Sequence, residues 1–223
     1  EGFMIDVLNE IAKRGEPPFR IEYHLFQWSV FRSELASGKF AVICDPVYLT
    51  VGRAEEFVPS EPIQYFGLAA GLVREDETRF KTFADIDKPG VVVSLAAGYT
   101  STEYALQHLS KATLKQFPVT QSAFSHLDEV LNGRADIGLN DVPTVLQYAE
   151  AHKGKVKALW LDNPPAIVGG GFLARKEDRD LIEFLNDSIK ILRADGTLKK
   201  LDEKWKTFGM FPEERLVPAL GLK

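Results

Sequence analysis

Short apolar runs alternate along almost the whole chain with segments whose apolar residues recur at helical spacing, and that alternation restricts the fold to the α/β class. Phe19 to Phe26 alternates like a strand, and Phe40 to Cys44 reads as a short apolar strand ended by Asp45-Pro46. Gly67 to Val73, Val91 to Leu95, Leu114 to Phe117, Ala135 to Leu139, Val156 to Leu161 and Val168 to Ala174 continue the strand series. Helical patterns lie at Gly2 to Arg14, Trp28 to Ser37, Thr82 to Asp87, Thr102 to Leu109, Ser125 to Leu131, Val142 to Ala151, Asp180 to Ala194 and Thr197 to Phe208. This spacing predicts parallel sheets flanked by helices. No internal repeat or low-complexity tract interrupts it.

With 223 residues and 45% hydrophobic content, the chain can bury one large core or two modest ones. The net charge of -5 and the lack of a long Lys/Arg run argue against nucleic acid as a partner. No apolar stretch is long enough to span a bilayer and no secretory leader opens the chain, so the expectation is a soluble protein whose export signal has been removed. The single Cys44 excludes an internal disulfide and reads as a small hydrophobe in a strand. His24, His108, His126 and His152 are scattered and read as surface or cap residues; no metal site is expected.

Two segments carry candidate chemistry. Tyr48-Leu49-Thr50-Val51-Gly52-Arg53-Ala54-Glu55-Glu56 places a lone Arg after a turn, and Gly133 to Asp141 places an Asp after a strand. A guanidinium forks onto a carboxylate and a carboxylate accepts from an ammonium, so the pair could hold both charged ends of an α-amino acid. Locally, Arg53 could equally be a solvated partner of Glu55 and Glu56, and Asp141 before Val142-Pro143 is also a good helix N-cap. Gly169-Gly170-Gly171 lacks the Gly-Lys-Ser/Thr ending of a phosphate loop and reads as hinge flexibility.

From Gly2 to about Gly209 the chain resembles the family 3 extracellular solute-binding proteins, the polar-amino-acid receptors of ABC importers. The matching words include Gly2-Phe3-Met4-Ile5-Asp6-Val7, Thr50-Val51-Gly52-Arg53-Ala54-Glu55-Glu56-Phe57, Ala97-Gly98-Tyr99-Thr100-Ser101, Asn132-Gly133-Arg134-Ala135-Asp136, Asn140-Asp141-Val142-Pro143 and Ala194-Asp195-Gly196-Thr197-Leu198. Their order and spacing carry the match, since each alone is weak. The resemblance implies a type II periplasmic binding protein clamshell joined by two crossing strands, near Phe66 to Ala70 and Val168 to Phe172. Residues 1–67 and 170–223 would form lobe 1, and 68–169 an inserted lobe 2. It also implies a strand and loop ahead of Gly2-Phe3, with an aromatic over the ligand, which this sequence does not contain.

The resemblance assigns Arg53 to the ligand α-carboxylate and Asp141 to its α-ammonium, with Thr50, Thr100 and Ser101 completing the carboxylate clamp. Trp28 would wall the side-chain pocket, although a tryptophan at a helix start is more often core. Pro46, Tyr48 and Tyr99 stand where many relatives carry smaller residues. A proline carbonyl can accept from an ammonium, while the two tyrosines would fill volume, which favours an uncharged or aromatic amino acid. No cofactor is implied. The implied partners are a small-molecule ligand and an ABC permease, with the protein acting as a monomer in the periplasm or outside the cell.

Two other functions compete. The segment Thr78 to Val91 resembles cyclohexadienyl dehydratase, an enzyme built on the same fold. However, Ser101 stands where that enzyme has an Asn and Thr144 where it has a catalytic Glu, so no general acid is evident and no catalytic residue is assigned. The same clamshell could also serve as the ligand-sensing ectodomain of a receptor kinase.

Overall fold

The computed structural model describes residues 2–26, 28, 30–119 and 122–205. These divide into two compact units, residues 2–65 with 169–205 and Phe66–Val168. The first unit carries helices α1 (Phe3–Arg14), α2 (Phe31–Ala36), α3 (Val51–Glu56), α7 (Arg179–Ala194) and α8 (Thr197–Trp205), with strands β1 (Val42–Tyr48) and β2 (Val58–Pro59). The second carries α4 (Thr100–His108), α5 (Ser125–Leu131) and α6 (Val142–Ala151), with β4 (Ala70–Arg74), β5 (Val92–Ala96), β6 (Thr113–Phe117), β7 (Ile137–Asn140) and β8 (Val156–Leu159). Strands β3 (Gln64–Leu68) and β9 (Ala166–Ala174) each contain one of the points at which the chain passes from one unit to the other.

In the first unit α1 forms because Phe3, Met4, Val7, Leu8 and Ile11 fall on one helical face, with Lys13 and Arg14 favourably placed in the last turn. That face packs on Ile182, Leu185 and Ile189 of α7 and on Phe172 of β9. Each such side chain contributes about 1.5–3 kcal/mol on burial. A second cluster joins Phe31 and Leu35 of α2 to Ile43, Val47, Phe57 and Leu173. Strands β1 and β2 both run antiparallel to β9.

In the second unit the strand order is β6-β5-β7-β4-β8, with β5 parallel to both β6 and β7. Strand β4 is antiparallel to β7 and β8, so the sheet is mixed and not wholly parallel as the alternation alone suggested. Parallel pairing is confined to strands linked through helices α4 and α5, which supply the crossovers that parallel neighbours need. Val93, Leu95, Ile137 and Leu139 fill the core with Ile86 and Leu109.

Four further expectations are revised. Phe19 to Phe26 forms no strand: it follows Pro17-Pro18, no described strand pairs with it, and Leu25 is 96% exposed. Alternation there was not a burial signal. Strand β1 does not stop at Asp45-Pro46 but runs through them, because a register shift between Ile43 and Val47 opens a bulge where a proline needs no ladder bond. The run Gly67 to Val73 is two strands, broken at Ala69, whose φ of 56 turns the chain. The helix expected from Trp28 begins only at Phe31, and the Phe208 end of the last helix lies outside the described residues.

Gly169 and Gly171 of β9 meet a packing demand. A Cβ on Gly171 would stand 2.6 Å from Ser60 Oγ and one on Gly169 2.7 Å from a Pro62 side-chain carbon. The Ser60 hydroxyl occupies that space, accepting from the Phe172 N–H at 2.8 Å. No helix among the described residues is long and apolar enough to cross a membrane.

Candidate functional site

Each unit presents its candidate residues where a strand hands over to a helix. In the first unit β1 ends at Tyr48 and Thr50 caps α3, its hydroxyl accepting from the Arg53 N–H at 3.3 Å. Helix α3 is otherwise exposed, yet Arg53 is only 6% exposed. Its Nη1 donates to the Tyr48 carbonyl at 2.7 Å, and the guanidinium carbon lies 5.8 Å from the Trp28 ring centre and 5.6 Å from that of Phe31. Arg53 is therefore not a solvated partner of Glu56, whose carboxylate pairs with Arg32 at 3.2 Å.

Thr50, Tyr48, Trp28 and Arg53 thus come together within one unit. Trp28 also belongs to the aromatic cluster, edge-on to Phe26 and Phe31 at 5.1 and 5.4 Å, so the ring that faces Arg53 is also a packing residue. Pro46 sits half-buried in the β1 bulge. Cys44 is half-buried on the same strand, and burial pushes its thiol up, away from the reactive thiolate.

In the second unit the carboxyl ends of neighbouring parallel strands β5 and β7 bring the other candidates together, the usual location of ligands in such sheets. Past β5, Gly98 with φ 80 turns the chain into α4, a conformation that favours glycine. Tyr99 is the half-buried N-cap of that helix. Thr100 and Ser101 are buried in its first turn, where backbone N–H groups and the helix dipole favour an anion. Ser101 Oγ accepts from the Ala69 N–H at 3.3 Å, while Thr100 Oγ1 has no hydrogen-bond partner among the described residues.

Past β7, Asp141 is 8% exposed and caps α6, its Oδ1 accepting from the Thr144 N–H at 2.8 Å. The capping role is therefore real, and it engages one of the two carboxylate oxygens. Behind it Asn140, 1% exposed, accepts from the Asp141 N–H through Oδ1 at 2.8 Å and approaches His126 Nε2 through Nδ2 at 3.1 Å.

His126 is 0% exposed, which corrects its reading as a surface residue. Burial holds its imidazole down at about 4, against a smaller opposing pull from Asp128, so the ring is neutral at pH 7. It lies on the buried face of α5 with Leu127 and Val130. The 126/130 spacing on one helix face was the available signal, and a polar residue between apolar ones obscured it.

Comparison with known proteins identifies the family. A probable amino-acid-binding protein of Bacillus subtilis is 27% identical over 206 residues, covering 92% of this chain and 75% of the relative. An ABC transporter arginine-binding protein of Escherichia coli is 24% identical, with 92% and 81% covered. Among solved structures, an ancestral amino acid-binding protein described as a precursor of cyclohexadienyl dehydratase superposes with a TM-score of 0.77 at 31% identity, covering 92% of this chain and 85% of that one. A binding component of an ABC transporter from Wolinella succinogenes, complexed with lysine, gives 0.79 at 25% identity over the same shares. Residues 1–209 match the family model of the bacterial extracellular solute-binding proteins, family 3, and the chain is a solute-binding protein of that family.

Proposed function

We propose that this chain captures an α-amino acid outside the cytoplasm and presents it to an ABC permease, acting as a monomeric receptor without a catalytic step. The two units serve as its lobes. Arg53 takes the α-carboxylate with Thr50, Thr100 and Ser101 as further donors, and Asp141 takes the α-ammonium. Trp28, Tyr48, Tyr99 and Pro46 bound the side chain and the ammonium.

The observation that carries this reading is one of charge burial. Among the described residues, Arg53 and Asp141 are the only Asp, Glu, Lys or Arg that are buried, one in each unit, both at strand-to-helix junctions. A guanidinium fork suits a carboxylate and a carboxylate oxygen suits an ammonium, so this pair of buried groups matches a ligand that carries both charges. A ligand that engages groups of both units stabilises the arrangement in which both reach it, which is the differential affinity that receptor signalling to a permease requires.

The test is a thermal-shift and calorimetric panel of the twenty L-amino acids, each repeated as its methyl ester and its N-acetyl derivative. A free amino acid at about 100 times its dissociation constant stabilises by about 2.7 kcal/mol. The ester and the N-acetyl form, each lacking one charge, should give little or none of that shift. The panel also separates a basic amino acid, as the names of several relatives suggest, from an uncharged or aromatic one, as the tyrosines suggest. No response to any free amino acid, or an equal response to both blocked forms, overturns the reading. Incubation with prephenate or arogenate should yield no aromatic product, because Thr144 supplies no general acid.

A further inference from the structure

We propose that His126 is a positioning residue for ligand binding: it orients the Asn140 amide, and Asn140 in turn holds the Asp141 backbone and carboxylate at the carboxyl edge of the second unit's sheet. The inference rests on the reading of Asp141 as the ammonium acceptor, and it adds a residue that touches neither ligand nor solvent.

The hydrogen-bond chain fixes the direction of each step. Asn140 Oδ1 accepts from the Asp141 N–H at 2.8 Å, so the amide group facing His126 is Nδ2, a donor. The His126 Nε2 at 3.1 Å must then be an acceptor, which assigns the ring proton to Nδ1. Nδ1 is buried and has no hydrogen-bond partner among the described residues. A buried donor left in that state disfavours folding. The His126 carbonyl is used separately, accepting from the Ser94 hydroxyl at 2.7 Å, which anchors α5 to β5 through the backbone whatever the side chain is.

A leucine at this site would pack with Leu127 and Val130 without the orphaned donor. What only the imidazole supplies is the acceptor for Asn140. Without it Nδ2 loses its partner in a dry environment, and the amide is free to rotate and release the Asp141 N–H. The neutral ring that burial enforces is the state the geometry needs, since an imidazolium would set two donors against each other.

The test compares His126→Leu and His126→Gln with the parent, each titrated calorimetrically with the twenty L-amino acids and melted in parallel. Gln carries an oxygen close to where Nε2 lies, so it restores the acceptor, whereas Leu keeps only volume. His126→Leu should bind about tenfold more weakly, the scale of one hydrogen bond, while His126→Gln should stay within about threefold of the parent. Parent-like affinity in His126→Leu, or equal losses in both variants, overturns the inference while leaving amino-acid binding intact. A parent that binds none of the twenty removes the reading beneath it and the inference too. Nitrogen-15 spectra of the unaltered protein give a second arm that needs no variant: the Nδ1-protonated tautomer is expected at pH 7, and an Nε2-protonated or doubly protonated ring overturns the inference.

Discussion

The two units handle their buried charges by different means. Arg53 lies against the ring faces of Trp28 and Phe31 and donates to the Tyr48 carbonyl, on a six-residue helix whose other side chains face solvent. Asp141 is held by directional hydrogen bonds, with Thr144 in front and Asn140 and His126 behind, at the edge of a packed five-stranded sheet. Aromatic contacts are tolerant of small displacements, whereas a hydrogen-bond chain is lost when one member turns. The first unit should therefore respond to changes of charge and ring area, and the second to changes of donor, acceptor and proton.

Acidification separates them most strongly. The His126 imidazole stands at about 4 when folded against 6.5 when free, so the unfolded chain takes up the proton first as pH falls. Stability is full above about 6.5 and declines down to about 4, by about 3 kcal/mol at roughly 1.4 kcal/mol per unit. His126→Leu should flatten that slope in melts recorded across the range. The Glu77 carboxylate, held down at about 2 by Arg79, contributes in a lower window: its share is present above about 4.5 and lost towards 2. A slope confined to that lower window would show that His126 is not the group responsible.

Charge changes come next. Arg53→Met keeps much of the stem packing against Trp28 and Phe31 but removes the fork, and amino-acid affinity should fall about a hundredfold, near the upper end for a charge-assisted contact. Arg53→Lys should recover only part of it, because an ammonium cannot bind the carboxylate in two parallel bonds. On the other side, Asp141→Ser keeps an N-cap and loses the charge, so affinity should drop about thirtyfold with little change in melting temperature. Asp141→Ala should lose the same affinity and about 1 kcal/mol of stability besides. Equal melting of the Ser and Ala variants would mean that the bond to Thr144 contributes nothing to the helix.

These differences also explain what could be read in advance. Arg53, Thr50 and Asp141 stand in short local words, and a capping serine, threonine or aspartate acts on a neighbour three residues away, so sequence alone locates such groups. The helical faces of α1 and α7 are equally local. His126 and Asn140 lie fourteen residues apart and meet only because β7 pairs with β5 while α5 packs against both. No spacing rule encodes that meeting. Phe19 to Phe26 failed for the converse reason: alternation describes the strand itself, while forming one needs a neighbour to complete its hydrogen bonds.

The break at Ala69 is a third kind of feature, legible from neither pattern nor word. Its φ of 56 lies in the left-handed region, which costs a non-glycine residue about 1–2 kcal/mol, and its side chain is fully buried. The turn is held because the Ala69 N–H donates to Ser101 Oγ, tying the start of β4 to the first turn of α4. Ala69→Val should destabilise by about 2 kcal/mol, since a β-branched residue tolerates this conformation poorly and added volume at a fully buried position must displace its neighbours. Ala69→Gly should change stability by less than about 1 kcal/mol, as relief of strain offsets greater freedom in the unfolded chain. Ser101→Ala on the Gly background separates the two terms: if strain alone fixes the break, the double variant melts with the single one, and if the hydroxyl holds it, stability falls by a further 1 kcal/mol or so.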